Sequence, residues 1–304
     1  MGYTSYYNLE REPFSNAPND SFYFNSEQHN QALLRLMYSV DSDKGLAVLV
    51  GGVGTGKTTL ARRMLDNLPV EKYESSLLVM IHSAITPEWI LTRISIQLGV
   101  KDPDSNPLKL LKQLYERLLQ IDKEGRKAVV LIDEAQMLQT RELMEEFRGL
   151  LNLEIPGKKL LNIIFFGLPE LEETMKLDEP LAQRVAVKYT LKPLSLTAAE
   201  SYIHHRIQVA GGTNTPFVTG AISAVHKYSG GVPRLINTIC DNALFETYLR
   251  RDEQVSMPVV QSVSEDLGLI ASATIPVEAE TQTKTQTAEE IEMDEIEMLL
   301  EEFD

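Results

Sequence analysis

Residues 46–59 read Leu-Ala-Val-Leu-Val-Gly-Gly-Val-Gly-Thr-Gly-Lys-Thr-Thr, and Leu60-Ala61-Arg62-Arg63-Met64-Leu65 follow. The order is an apolar run with the character of a buried strand, a glycine-dense turn, and the opening of a helix. Gly51, Gly56, Lys57 and Thr58 fit the phosphate-binding pattern G-x-x-x-x-G-K-[ST]. Glycines let the backbone of Gly51, Gly52, Val53, Gly54, Thr55 and Gly56 curl so that successive N–H groups point inward at phosphate oxygens. The helix N-terminus, through Lys57, Thr58 and Thr59, adds its partial positive charge. Lys57 is expected to bring a full charge to the β- and γ-phosphates, and the Thr58 hydroxyl to ligate Mg²⁺.

The alternation of strand and helix continues. Ser76–His82, Lys127–Ile132, Leu160–Phe166 and Val185–Leu191 read as four more strands. Ser26, Thr86-Pro87 and Pro107 are helix starts, each followed by apolar residues at helical spacing, and Glu142–Leu153 reads as a helix. This pattern predicts an α/β fold, a P-loop NTPase parallel sheet flanked by helices on both faces. After Pro193 only helices are expected: Thr197–Val209, Thr219–Tyr228, Pro233–Leu249 and Met257–Leu267, a small all-α lid. The expected organisation is an N-terminal aromatic segment over 1–30 that packs on the main domain, an α/β core over 31–192, the lid over 193–269, and 270–304. That last stretch reads as a disordered linker rich in Thr, Gln and Glu, followed by a docking helix with Met293, Ile296, Leu300 and Phe303 on one side.

Charge narrows the partners. The net charge is −15. Eleven acids against one base, Lys284, leave residues 270–304 at −10 and the body at −5. A mildly acidic body argues against a broad nucleic-acid face, which needs clustered bases. Lys158-Lys159 and Arg250-Arg251 are the paired basic candidates late in the body. The lone cysteine, Cys240, in an apolar helical stretch, is expected to be a buried core residue in a reducing compartment. No apolar run reaches the roughly 18 residues that span a bilayer, and the N-terminus lacks a signal layout. A cytoplasmic protein is expected. The histidines show no metal-ligand spacing, and Trp89 is expected in the core.

Asp133 and Glu134 close an apolar strand, the Walker B arrangement. Asp133 is expected in the Mg²⁺ shell, and Glu134 to polarise the attacking water. Gln136 either helps to place that water or sense the γ-phosphate, or makes a local hydrogen bond. Arg184, just before the fifth strand, is either an arginine finger reaching a neighbouring subunit's phosphate or a surface salt bridge. Arg234, at the start of a lid helix, either touches the same nucleotide from above or is a surface charge.

Taken together, the motifs are similar to those of the AAA+ ATPases of the general secretion pathway protein A (ExeA) type. The resemblance covers roughly residues 3–268. It rests on Tyr7 with Pro13-Phe14; Gly51–Thr59; Leu131 to Gln136; Phe147-Arg148 with Asn152-Leu153-Glu154; Pro169-Glu170-Leu171; Gln183-Arg184-Val185; Tyr202-Ile203 with Arg206; and Gly230–Asn237. The resemblance implies that the core is an AAA+ core, that Tyr7 to Phe24 flank the adenine, that Arg184 is the arginine finger and that Arg234 is the sensor 2 arginine. It also implies ATP and Mg²⁺ as cofactors, a homo-oligomer, and work on envelope secretion or pilus-type machines. Secretion members continue into a transmembrane segment and a wall-binding domain, whereas here an acidic tail follows, so a direct wall-binding role is not expected; the tail either docks on a basic groove of a protein partner or of another subunit, or is a solubilising acidic tail. The family has Gly-Gln-Pro-Glu-Leu at the end of the fourth strand, and this chain has Gly167-Leu168-Pro169-Glu170-Leu171. Leucine offers no hydrogen bond at this sensor 1 position, so slow hydrolysis is expected.

Three functions follow from these readings. The first is an ATPase that assembles or remodels a partner. The second, less favoured, is an ATP-dependent DNA-associated regulator of the transposition target-selection type. The third is a slow-turnover nucleotide-dependent scaffold.

Overall fold

Successive residues of the apolar run face opposite sides of a sheet, and both sides are covered. Leu46, Val48 and Val50 of β1 (Leu46–Gly51) share one core with Ile90, Ile94, Leu114 and Phe147. Ala47 and Leu49 share the other with Leu36, Leu60 and Met64. The computed structural model describes residues 2–17 and 19–270. It places β1 in a five-stranded sheet with β2 (Tyr73–Val79), β3 (Lys127–Asp133), β4 (Leu161–Gly167) and β5 (Val185–Leu191), in the order β2-β3-β4-β1-β5. Every pairing is parallel. Helices α1 (Glu27–Asp41) and α2 (Lys57–Asp66) cover one face, and α3 (Pro87–Gln97), α4 (Pro107–Lys123) and α5 (Arg141–Leu150) cover the other. Burial on both faces is why the central strands read as unbroken apolar runs. The expectations for the linker and the docking helix fall outside the described residues.

The second strand lies three residues earlier than its apolar run suggests. Tyr73, Glu74 and Ser75 pair with Lys127, Ala128 and Val129, and β3 ends at Asp133, whose carbonyl takes the Met80 N–H. Ile81 and His82 therefore have no ladder to join. A short antiparallel hairpin, Glu154–Ile155 against Lys158–Lys159, was not expected, since two-residue strands leave no periodic signal. Trp89 is 37 % exposed, with the Arg93 guanidinium 5.5 Å from its ring centroid, rather than in the core.

Four helices follow the sheet: α6 (Leu196–Val209), α7 (Thr219–Ser229), α8 (Pro233–Arg250) and α9 (Met257–Asp266). Their core holds Ile203, Ile207, Val225, Ile236, Leu244, Val260 and the fully buried Cys240. Burial pushes the Cys240 thiol well up, so it stays protonated and inert. Leu9, Phe14 and Phe22 lie in this same cluster. The N-terminal segment thus packs into the helical part and not onto the sheet. Arg206 fastens it there: Nε donates to the Pro13 carbonyl at 2.5 Å and Nη2 to the Ser15 carbonyl at 2.8 Å, with the guanidinium 4.4 Å from the Phe22 ring centroid.

The chain crosses between the two parts twice, at Phe24–Ser26 and at Lys192–Leu194. The Gln28 amide joins the crossings, donating to the Lys192 carbonyl at 2.8 Å and accepting the Lys192 N–H at 3.1 Å. Beyond Pro193, the Leu194 N–H donates to the Gly231 carbonyl at 2.8 Å. Gly231 has φ +76°, and a Cβ there would stand 2.1 Å from the Leu194 carbonyl oxygen. Only glycine lets the backbone approach this closely in this conformation.

Candidate nucleotide-binding site

β1 delivers the glycine-rich turn, and α2 starts at Lys57. At Gly54, φ is +77° and a Cβ would stand 2.8 Å from the Arg234 Cβ. The Arg234 N–H reaches the Gly54 carbonyl at 3.4 Å. The start of α8 therefore sits directly on the loop. Lys57 Nζ donates to the Gly51 and Gly52 carbonyls at 2.9 and 3.0 Å. Burial lowers the Lys57 ammonium's pKa, while the Glu134 and Asp133 carboxylates oppose the shift. His29, on α1, holds the loop from behind. Its Nε2 lies 3.2 Å from the Thr55 carbonyl, and its Nδ1 lies 2.6 Å from the Ser26 hydroxyl, the cap of α1. The carbonyl can only accept, so Nε2 carries the proton and Nδ1 accepts from Ser26.

Asp133 is fully buried at the end of β3. Its Oδ1 accepts the Glu134 N–H at 2.9 Å, and Oδ2 has no hydrogen-bond partner. Burial raises its pKa, and the neighbouring Thr58 hydroxyl is the main group that counters the rise. A buried carboxylate oxygen without a partner, beside a hydroxyl, is a set of hard oxygen donors suited to Mg²⁺, which takes one or two carboxylates and completes its shell with phosphate oxygens and water. No cluster of three or more His, Cys, Asp or Glu suited to a metal occurs among the described residues. Mg²⁺ held jointly with a nucleotide needs none. Glu134 follows with φ +55°, a left-handed conformation uncommon outside glycine, in which its carboxylate takes a hydrogen bond from Gln136 Nε2 at 2.6 Å.

His29, Lys57, Thr58 and Glu134 face a cavity of about 370 Å³, within the range that takes a small ligand. Val53 to Thr59, Glu134 and Leu168 line one side, Arg234, Tyr202 and Asn237 another, and Ser15, Asn16, Phe22, Tyr23 and Phe24 of the N-terminal segment a third. Asn237 and Asn16 are joined: Asn237 Nδ2 donates to Asn16 Oδ1 at 3.0 Å, and Tyr202 donates to Asn237 Oδ1 at 2.8 Å. Arg234 therefore lies in the cavity with the loop and Glu134. Arg184 does not line it. Its Nη1 donates to Asn152 Oδ1 at 2.7 Å and to the Arg148 carbonyl at 3.2 Å, while Arg148 itself pairs with the buried Asp178 at 3.0 Å. The separate motif fragments at 147–154 and 183–185 thus build one mount for Arg184. Sequence reasoning missed His29 and Arg62 as cavity or loop residues, and took in Asn16 and Asn237 only within longer stretches, without singling them out. The capping serine three residues before His29 was the available signal for one of them. The others come together only through the tertiary fold.

A parallel sheet with its phosphate loop and acidic pair at the strand ends, roofed by a four-helix lid, defines a P-loop ATPase of the AAA+ class. Residues 40–175 match the AAA domain family. The chain is 38 % identical over 256 residues to general secretion pathway protein A of Aeromonas hydrophila, a match that takes in 83 % of this chain and 46 % of that protein. It belongs to the AAA+ ATPases of this secretion-protein-A type, and it spans about half the length of that curated relative. In fold it is similar to the Aeropyrum pernix ORC2 protein solved in ADPNP–ADP complexes (TM-score 0.62, 17 % identity, 84 % of this chain and 72 % of that one). It is likewise similar to Cdc6p of Pyrobaculum aerophilum (TM-score 0.65, 15 % identity, 86 % and 72 %). No helix among the described residues is long and apolar enough to cross a membrane.

Proposed function

We propose that the chain hydrolyses ATP to ADP and phosphate at interfaces between its own copies. The energy would drive assembly or remodelling of a protein partner in an envelope secretion or pilus-type machine, from the cytoplasmic side. The observation that carries this reading is the convergence of Lys57, Thr58, Glu134 and Arg234 on one cavity, with Asp133 buried next to Glu134 and Arg184 mounted outside the cavity.

In this mechanism the loop N–H groups and Lys57 hold the β- and γ-phosphates, and Arg234 adds charge from the lid. Thr58 and Asp133 would hold Mg²⁺, which supplies charge neutralisation across the β- and γ-phosphates. Glu134 accepts a proton from a water as that water's oxygen bonds to the γ-phosphorus. The bond from that phosphorus to the bridging oxygen breaks, and ADP leaves with its electron pair. Arg184 of a neighbouring copy stabilises the charge that builds on the transferred group. Leu168 gives the transferred phosphoryl group no side-chain donor, and the reading includes slow turnover for that reason.

The DNA-associated alternative finds little support in the basic pairs. Lys158 and Lys159 are bound to Asp122 and Glu154, Arg250 to Glu246, and Arg251 lies over the Tyr248 ring.

Mixing two inactive variants tests the reading. Glu134→Gln keeps Arg184 but lacks the base, and Arg184→Ala keeps the base but lacks the finger. ATPase activity is expected to return on mixing, because one kind of interface then holds both groups. A mixture as inactive as its parts, when both variants bind ATP and co-assemble, overturns the interfacial site.

A further inference from the structure

Gln136 is almost fully buried, at 8 % exposure, and both ends of its amide are occupied. Nε2 donates to Glu134 Oε2 at 2.6 Å, and Oε1 accepts the main-chain N–H of Leu168 at 3.0 Å. The backbone arranges this meeting. Ala135–Met137 is a single tight turn, closed by the Met137 N–H on the Glu134 carbonyl, which brings Gln136 back beside the residue two before it. On the other side β4 ends at Gly167, where a Cβ would stand 3.2 Å from Gln136 Oε1. Glycine there leaves room for the amide.

The bridge has a fixed direction. A carboxylate accepts only and a main-chain N–H donates only, so the amide has one satisfactory orientation; turned over, it would set oxygen against oxygen and N–H against N–H. No other side chain of this size and shape supplies a donor at one end and an acceptor at the other. Glutamate would place an acceptor against the Glu134 carboxylate, and methionine would fill the space with neither.

Leu168 lines the cavity and has no polar side chain, yet its N–H is the group that fixes Gln136. We propose that Gln136 is the positioning residue for Glu134, and that the end of β4 acts on the base through the Leu168 main chain and this amide, not through a side chain at 168. This deepens the hydrolytic reading and rests on Glu134 being the base.

The test uses the full chain, with single-turnover hydrolysis and ATP affinity measured for the wild type, Gln136→Met, Gln136→Glu and Glu134→Gln. The expected order of rates is Gln, then Met, then Glu. Methionine should cost about 10- to 100-fold, a share of the roughly 10²- to 10⁴-fold that a positioned base supplies. ATP affinity should stay within about threefold, since the groups that grip the phosphates are untouched. A packing role predicts instead that the near-isosteric glutamate and methionine both keep the wild-type rate. That outcome, with Glu134→Gln inactive, overturns the inference alone. A parallel loss of affinity and rate in Gln136→Met also overturns it. If Glu134→Gln hydrolyses ATP at the wild-type rate, it is the reading of the base that fails. Gln136→Glu carries the decision if Gln136→Met does not fold.

Discussion

At the scale of single residues the site is set by where polar groups find partners. His29 illustrates this for the loop. Burial lowers its pKa below the ordinary 6.5, so the folded chain holds the neutral ring while the unfolded chain takes up a proton. Its contribution is therefore in full effect above pH 6.5 and is lost as pH falls below that value toward the lowered one. Thermal melts from pH 8 to pH 5 should show this loss in the wild type. His29→Gln, which keeps a donor for the Thr55 carbonyl but does not titrate, should be less steep; equal slopes would mean that His29 does not report on pH. Leu168 makes a second case. Leu168→Gln restores a side-chain donor while leaving the main-chain N–H that Gln136 uses. Removing one well-placed donor costs about 10²- to 10³-fold in other sites, so a rise of tenfold or more in the single-turnover rate is expected, and no change would exclude sensor loss as a brake.

At the scale of elements, the close approaches matter more than the helices and strands themselves. Gly231→Ala would force a Cβ to within 2.1 Å of the Leu194 carbonyl at a positive φ. The expected cost is about 1–3 kcal/mol of stability, read as a lower melting temperature. ATP affinity should weaken with it, because Arg234 lies three residues on. The strands and the long helices were legible in the chain because burial on both faces of the sheet leaves apolar runs, and caps such as Ser26 and Thr86 announce helix starts. Lys57 and the Asp133-Glu134 pair stand out as motifs because phosphate chemistry fixes the residue types and spacing within each, whereas the separation between the two is set by the fold. What could not be read is whatever depends on distant segments meeting. The Asn16–Asn237 pair bridges residues 221 apart in the chain, and the mount of Arg184 draws on three stretches. The start of β2 was misjudged because its partner strand, and not its own hydrophobicity, decides where the ladder stops.

At the scale of the whole molecule, the acidic stretch beyond the described residues carries −10 of the net charge of −15. Deleting residues 288–304 is expected to reduce pull-down of the protein partner while leaving the basal ATPase rate within about twofold, since Lys57, Asp133, Glu134 and Arg234 all lie outside the deletion; unchanged pull-down and unchanged oligomer size would remove the docking role. The two crossings between sheet and lid, tied together by Gln28 and Lys192, have a mechanical consequence. A body on one tether tumbles, whereas a body on two swings about the line through them. Any swing of the lid would therefore have a single axis, and would carry Arg234, Asn237 and Asn16 together. Release of a nucleotide would then depend on a single angle, and a partner pressing on the outer face of the lid, far from the phosphates, would alter the rate without touching the chemistry.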